Sequence, residues 1–208
     1  MQRDLTSGSI SKALFLFAGP MILGNLLQQF YNITDTLIVG QFLGSDALAA
    51  VGSSFSLMTF LTSILLGLCM GSSVVFSTFF GAQKKDPLQS SFFASFLFVG
   101  LVAVLIEVLS LIFINPLLRL LQTPSYILED TRTYLQIIFY GIFFTFLYNF
   151  FASLLRSIGN SFIPLVFLGI STLVNIVLDL LFILQFHVGL SGATWAARYA
   201  QGISAAAI

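Results

Sequence analysis

Two aspartates lie within long apolar segments of this sequence, where a charged side chain needs a specific reason. Asp35 lies in the apolar segment 13–39, and Asp179 lies in the apolar segment 162–186. A charged aspartate at the centre of a membrane helix costs about 2.5–3.5 kcal/mol on insertion scales. A carboxylate retained in such a place is typically neutralised by a proton or a metal cation. The two aspartates therefore predict a cation-binding site.

Amide side chains precede Asp35 at helical spacing. Asn25, Gln28, Asn32 and Asp35 follow the pattern i, i+3, i+7, i+10, which places them within about 80° of one helix face. Tyr31 borders this polar stripe. The alternative is an interfacial helix end at which Asp35 snorkels to water, but that reading does not explain the three amides. The stripe favours a binding face on the first helix.

A second polar row leads to Asp179. Ser171, Asn175 and Asp179 are spaced i, i+4, i+8 and share one helix face. Carboxylate and amide oxygens are hard ligands that suit Na⁺, and a carboxylate alone can take a proton. The alternative is that these groups join helices through hydrogen bonds. The spacing predicts a metal or proton site formed by Asp35, Asn175 and Asp179.

The composition is that of an integral membrane protein. Of 208 residues, 58% are hydrophobic and 8% are charged, with 24 phenylalanines and a mean hydropathy of +1.02. A soluble domain of this length does not carry so much apolar surface. The formal net charge is zero and no basic run is present, which argues against a nucleic-acid partner. Membrane lipids are the expected surroundings.

Six apolar segments are long enough to cross a bilayer, for which about 20 residues suffice. They are residues 13–39, 48–80, 91–114, 133–155, 162–186 and 189–208. The predicted fold is all-α, a polytopic six-helix transmembrane bundle at 13–208 after a cytoplasmic N-terminal segment at 1–12. The sixth segment is still apolar where the sequence stops, so we expect a truncated sixth helix.

The basic residues predict the orientation. Lys and Arg concentrate in cytoplasmic loops, and a cytoplasmic N-terminus gives the larger number on that side. The cytoplasmic residues are then Arg3, Lys12, Lys84, Lys85 and Arg156, and the outer ones are Arg119, Arg132 and Arg198. The first and fifth segments both run outward in this arrangement. Asp35 and Asp179 then lie at similar depth and meet across the bundle.

Other chemistry-bearing residues are less informative. Glu107 in the third segment has no polar neighbour on its face, and an ion pair with Arg119 near the outer surface is one arrangement that would satisfy it. His187 follows the fifth segment, where a solvated position is expected. Pro20 in the first segment permits that helix to bend. Phenylalanine-rich stretches near 92–98 and 143–151 are expected to serve mainly as lipid-facing or packing surface.

Several motifs together resemble the multidrug and toxic compound extrusion (MATE) transporters. The first is the run at 20–52, PMILGNLLQQFYNITDTLIVGQFLGSDALAAVG. The others, in order, are Gly81 and Ala82, Tyr148 and Asn149, Leu155 and Arg156, Gly159, Ser161, Pro164 and Leu165, the NIVLD motif at 175–179, Gly192 and Ala193, and Gln201. The resemblance covers essentially the whole chain.

The resemblance implies an antiporter, not an enzyme, that exports organic cations or drugs across the cytoplasmic membrane. Na⁺ or H⁺ is the implied coupling ion, and no other cofactor is expected. The residues matching Asp35, Asn175 and Asp179 form the family's cation site in its N-terminal lobe, and those matching Gln28 and Tyr31 join the same network. A sixth-helix threonine usually completes the site, but Ala197 stands at the matching position, with Thr194 one turn away. The family has a second six-helix lobe, which this chain lacks.

Three rival functions remain to be compared with this one. A flippase for lipid-linked precursors or polysaccharides has a related fold, and a cationic central cavity would favour it. An intramembrane aspartyl protease also needs two helix-borne aspartates, but its second aspartate is expected in a GxGD motif, and Asp179 lies in IVLDLL instead. A non-transporting scaffold would have no use for the two polar rows.

Overall fold

A computed structural model describes residues 10–181 together with Gly192, Thr194, Trp195 and Gly202, without the side chains of 10–14, 16 and 179. The described part is helical and contains no strand, which confirms the all-α fold. The helices are α1 (Ile10–Phe42), α2 (Gly44–Gly81), α3 (Lys85–Ile112), α4 (Ile114–Leu120), α5 (Leu128–Tyr140), α6 (Ile142–Ser157) and α7 (Phe162–Leu180). A 3₁₀ turn at Ser125–Ile127 precedes α5.

Two described helices, α2 and α3, are long and apolar enough to cross a membrane. The segment Ser125–Tyr140 and α6 meet the same test together, with a bend of 44° between them, so the described helices give three spans if this bent pair (the broken span) counts as one. Helix α7 is apolar but shorter over its described part. At 38 residues, α2 is roughly 57 Å long, so it must tilt or project beyond a hydrocarbon core of about 30 Å. The predicted sixth segment lies almost entirely outside the described residues.

The middle of the chain contains more elements than the six predicted segments indicate. The predicted segment 133–155 is interrupted at Gly141 between α5 and α6. Between the predicted segments 91–114 and 133–155, the chain contains α4 and the 3₁₀ turn. Pro116 lies in the first turn of α4, where proline is tolerated because the first N–H groups have no helical partner.

A phenylalanine cluster fills the space between α2, α3 and α6. Its members are Phe76, Phe92, Phe96, Phe146 and Phe150, with ring centroids 5.4 to 6.2 Å apart. Phe150 is fully buried and meets the rings of Phe76 and Phe96 edge-on, a favoured geometry for aromatic pairs. Other phenylalanines of the same stretches, such as Phe93 and Phe98, are exposed. The expected packing role is therefore confirmed for the buried rings, while the lipid-facing role of the exposed ones stays a prediction.

The cluster is the centre of a larger packed unit. Helices α2, α3, α5 and α6 pack around it, and its buried residues include Leu65 and Cys69 of α2 and Phe139 of α5. Helix α1 packs mainly against α7 and also against α2, while α7 also touches α6. The described chain thus consists of a phenylalanine-filled four-helix unit and an attached α1–α7 pair. That pair carries the two predicted polar rows.

Removing the central ring should destabilise the packed unit. We expect Phe150→Ala to lower the free energy of unfolding by about 3–5 kcal/mol, because it leaves a cavity among five partner rings. Phe98→Ala is the matched control, since Phe98 is 59% exposed and its loss opens no internal cavity. Equilibrium unfolding in mixed detergent micelles measures both variants. Equal destabilisation by the two changes would contradict this account of the core.

Candidate cation site

The beginnings of α1 and α7 are joined by direct contacts. The hydroxyl of Ser161, just before α7, donates a hydrogen bond to the backbone oxygen of Phe17 at 3.2 Å. Further along α1, a Cβ atom on Gly24 would lie 3.8 Å from Leu165 and 3.9 Å from Leu168. These contacts advance along both helices in the same direction, so α1 and α7 run parallel.

The same register continues to the level of Asp35. Ile38 of α1 is buried against Ile176 and Leu180 of α7. In all of these contacts, the contacting residues of the two helices are separated by 138 to 144 positions in sequence. Applied to Asp35, this offset leads to positions 173–179 of α7. Asn175 and the backbone of Asp179 therefore lie at the depth of Asp35 on the neighbouring helix.

Burial differs between the two helices. Asn175 is 2% exposed, and Thr172 beside it is 8% exposed. Asp35 and Tyr31 on α1 are half-buried, as is Ser171 on α7. The amide of Asn175 therefore lies in the interior, while Asp35 lies at the edge of the interface. The side chain of Asp179 is outside the described residues.

Helix α1 has three distinct faces. The face toward α7 contains Gly24, Tyr31, Asp35 and Ile38, which are buried or half-buried. A polar exposed face follows next around the helix, and its residues are Asn25, Gln28, Gln29, Asn32 and Thr36. The remaining face is apolar and exposed, with Ile22, Leu26, Phe30, Ile33 and Leu37. The predicted stripe is thus divided, because its three amides are exposed and Asp35 lies where the polar face meets α7.

The polar face of α1 borders an open concavity of about 310 Å³. Its described lining consists of Gln29, Asn32, Ile33, Thr36 and Leu37. Asn32 donates to the side-chain oxygen of Gln29 at 3.2 Å, and Thr36 donates to the backbone oxygen of Asn32 at 2.7 Å. Sequence analysis missed Gln29 and Thr36, although they share the helical spacing of Asn32. The described lining offers neutral donors and acceptors beside apolar side chains.

The connection before α7 fixes where that helix begins. Asn160 is buried and its side-chain oxygen accepts a hydrogen bond from the backbone N–H of Ile163 at 3.2 Å, as expected for a helix cap. Tyr148 of α6 donates to the backbone oxygen of Pro164 at 3.3 Å. Together with the Ser161 bond to α1, these contacts hold α7 between α1 and α6. The depth of Asn175 follows from this anchoring.

The predicted metal ligands form an incomplete set in the described residues. No group of three or more His, Cys, Asp or Glu side chains able to hold a metal occurs in that part of the chain. The predicted set has two carboxylates and one amide, and the carboxylate of Asp179 is outside the description. Thr194, one of the two residues considered for a sixth-helix ligand, is buried. Ala197 and His187 lie outside the described residues, so those predictions stay open.

The long apolar helices α2 and α3 indicate an α-helical membrane protein. The chain belongs to the MATE family, because the family model described as MatE matches residues 20–181. Family membership supports a transport role over an enzymatic one and does not favour a flippase for lipid-linked precursors.

Individual relatives agree with the family. The probable multidrug resistance protein YpnP of Bacillus subtilis (strain 168) is 36% identical over 208 residues, covering 97% of this chain and 45% of YpnP. A MATE crystal structure in the bent conformation aligns with a TM-score of 0.88 at 26% identity, over 96% of this chain and 44% of that one. A MATE structure in the straight conformation aligns with a TM-score of 0.87 at 26% identity, over 95% and 44%. This chain therefore spans slightly less than half the length of the proteins it matches.

Cysteine cross-linking tests the register of α1 and α7 at the candidate site. In a Cys69→Ala background, we expect Ile38→Cys and Ile176→Cys to be joined by a short thiol reagent, since the two side chains pack together. Leu37→Cys with Ile176→Cys is the control, because Leu37 is 59% exposed on another face of α1. Mass shift after reaction in membranes is the readout. Efficient linkage of the control pair and none of the first pair would show that the register is wrong.

Proposed function

We propose that this chain forms the N-terminal lobe of a cation-coupled antiporter that exports organic cations or drugs across the cytoplasmic membrane. The parallel packing that brings Asp35 level with Asn175 and Asp179 is the observation that carries the proposal. Membership in the MATE family and the similarity to a probable multidrug resistance protein support it. The lobe would contain six transmembrane helices with a cytoplasmic N-terminus, and a second lobe would complete the transporter.

The proposed ion site consists of Asp35, Asn175 and Asp179. Asn175 contributes a buried amide oxygen, and the two aspartates contribute negative charge at the same depth. A larger polar network surrounds them, made of Asn25, Gln28, Tyr31, Asn32 and Ser171. Na⁺ or H⁺ would bind here, because each neutralises carboxylates whose charge is costly in apolar surroundings. No other cofactor is needed for this activity.

The polar face of α1 is the proposed contact surface for the exported compound. Its amides supply hydrogen bonds without a fixed charge, and the adjoining apolar side chains suit an amphipathic compound. The concavity of about 310 Å³ beside Asn32 lies next to Asp35 along the helix. A cationic compound and the coupling ion would therefore compete for the same negative charge, which is the basis of exchange.

Bending of α1 is the proposed link between the two binding events. Pro20 lies inside α1, where it removes one backbone hydrogen bond and its ring disfavours a straight helix. Related MATE structures exist in a bent and a straight conformation, which supports a change of helix shape. Neutralising Asp35 would alter the polar face beyond Pro20 and favour release of the compound.

The energy available from one ion is sufficient for export. In a one-for-one exchange with a monovalent organic cation no net charge crosses the membrane, so the concentration gradient of the coupling ion is the driving force. A gradient equivalent to 100 mV supplies about 2.3 kcal/mol, which corresponds to roughly fiftyfold accumulation. An antiporter therefore needs no nucleotide. Loss of a site carboxylate should reduce the accumulation ratio toward one.

Transport by the full-length protein tests the site. In everted vesicles with a fluorescent organic cation such as ethidium in the outer medium, we expect Asp35→Asn and Asp179→Asn to abolish ion-driven accumulation, which would otherwise approach fiftyfold for an ion gradient equivalent to 100 mV. Asn175→Ala should raise the ion concentration needed for half-maximal transport. Asp46→Asn is the control, because Asp46 is an exposed aspartate in the first turn of α2. Unchanged coupled transport in both site aspartate variants would refute the assignment.

A further inference from the structure

The break between α5 and α6 has a hydrogen-bond pattern that involves a third helix. At the break, the backbone N–H of Gly141 donates a hydrogen bond to the backbone oxygen of Ile138, three residues earlier, at 2.9 Å. The N–H of Phe143 donates to a carboxylate oxygen of Glu107 on α3 at 3.2 Å. The helical pattern resumes at Thr145, whose backbone N–H and side-chain hydroxyl both bond to the backbone oxygen of Gly141 at 3.0 Å. Glu107 thus accepts a hydrogen bond from one of the backbone amides at the start of α6.

This finding corrects the expected partner of Glu107. The described structure records the Phe143 amide as the hydrogen-bond partner of the carboxylate, rather than an ion pair with Arg119. An anionic acceptor is favourable at a helix N-terminus, where backbone N–H groups lack helical partners. A charge-assisted bond of this kind is stronger than one between neutral groups. The hydrogen bond from the Phe143 amide is therefore a physical reason for a carboxylate at position 107 of the apolar helix α3.

The opposite side of the break borders a small internal cavity. A small cavity of about 30 Å³ lies between α2 and the broken span, large enough for about one water molecule. Its lining residues on the broken span are Ile138, Phe139, Ile142 and Thr145. Close packing would resist a change in helix angle, whereas a cavity beside Ile142 leaves room for one. The break therefore has a fixed contact on its α3 side and free space on its α2 side.

We propose that Glu107 is a positioning residue that holds the 44° bend between Ser125–Tyr140 and α6 by accepting the Phe143 amide. Without this acceptor, the Phe143 N–H most simply finds a new partner in the backbone oxygen of Phe139, four residues earlier. This bond belongs to a continuous helix, so forming it straightens the span. The bend sets the direction of α6, and α6 contacts α7 through Tyr148 and Pro164. Glu107 thereby influences the helix that carries Asn175 without touching the candidate cation site.

A distance measurement tests the bend directly. Spin labels are attached at Ser125→Cys and Ser157→Cys, in a Cys69→Ala background of the full-length protein in lipid bilayers. Each arm of the broken span has 16 residues, or roughly 24 Å at the helical rise. Straightening from 44° then lengthens the end-to-end distance by about 3 Å. We expect this increase in Glu107→Leu, and the wild-type distance in Glu107→Gln, which keeps an oxygen acceptor.

The control variants distinguish a change in the bend from a loss of stability or a loss of transport. Glu129→Leu removes an exposed carboxylate from α5 and should leave the distance unchanged. Glu107→Ala replaces Glu107→Leu if the latter fails to fold, with the same lengthening expected. A folded Glu107→Leu or Glu107→Ala protein with the wild-type distance would overturn the proposal. The consequence for transport rests on the proposed function, whereas the distance requires no transport, so the two can fail separately.

Discussion

In apolar surroundings, every backbone N–H and C=O that leaves a helix must find another partner, because no water is present to supply one. This constraint bears on two places in the chain. Near Pro20, which lies inside α1 and has no N–H to donate, the backbone oxygen of Phe17 accepts a hydrogen bond from Ser161. At the start of α6, the Phe143 amide donates to Glu107. Side chains far away in sequence are thus held at specific backbone positions, and these bonds fix the arrangement of the helices.

The molecule contains two kinds of helix packing. The unit of α2, α3, α5 and α6 is filled by interlocking phenylalanine rings such as Phe146 and Phe150, and a close-packed core of this kind resists deformation. Gly100 admits the Phe146 ring, since a Cβ there would lie only 3.4 Å from it. The α1–α7 pair contacts that unit mainly through α2 and α6, and α1 has an exposed polar face. A change of shape would therefore meet less packing resistance in α1 and α7 and, within the unit, beside the small cavity at Ile142.

Much of this arrangement could be predicted from residue types and spacing. The polar rows leading to Asp35 and Asp179 have helical periodicity, and the parallel direction of α1 and α7 followed from their shared orientation. The break at Gly141 could not be predicted, because a lone glycine in an apolar run is common within membrane helices. The partner of Glu107 could not be predicted either, since the backbone amide of Phe143 carries no signal in the sequence. Local periodicity therefore predicted the helices, while contacts between distant residues determined their irregularities.

Helix α7 connects the part of α1 near Pro20 with the break between α5 and α6. Its first turns are tied to α1 by Ser161 and to α6 by Tyr148, and its middle packs on α1 through Ile176. A rotation of α1 about Pro20 or of α6 about Gly141 would therefore act on the same helix. Since Asn175 is buried in that helix, either movement would change its position relative to Asp35. On the proposed mechanism, the affinity for the coupling ion thus depends on both bends, even though neither lies within the ion site.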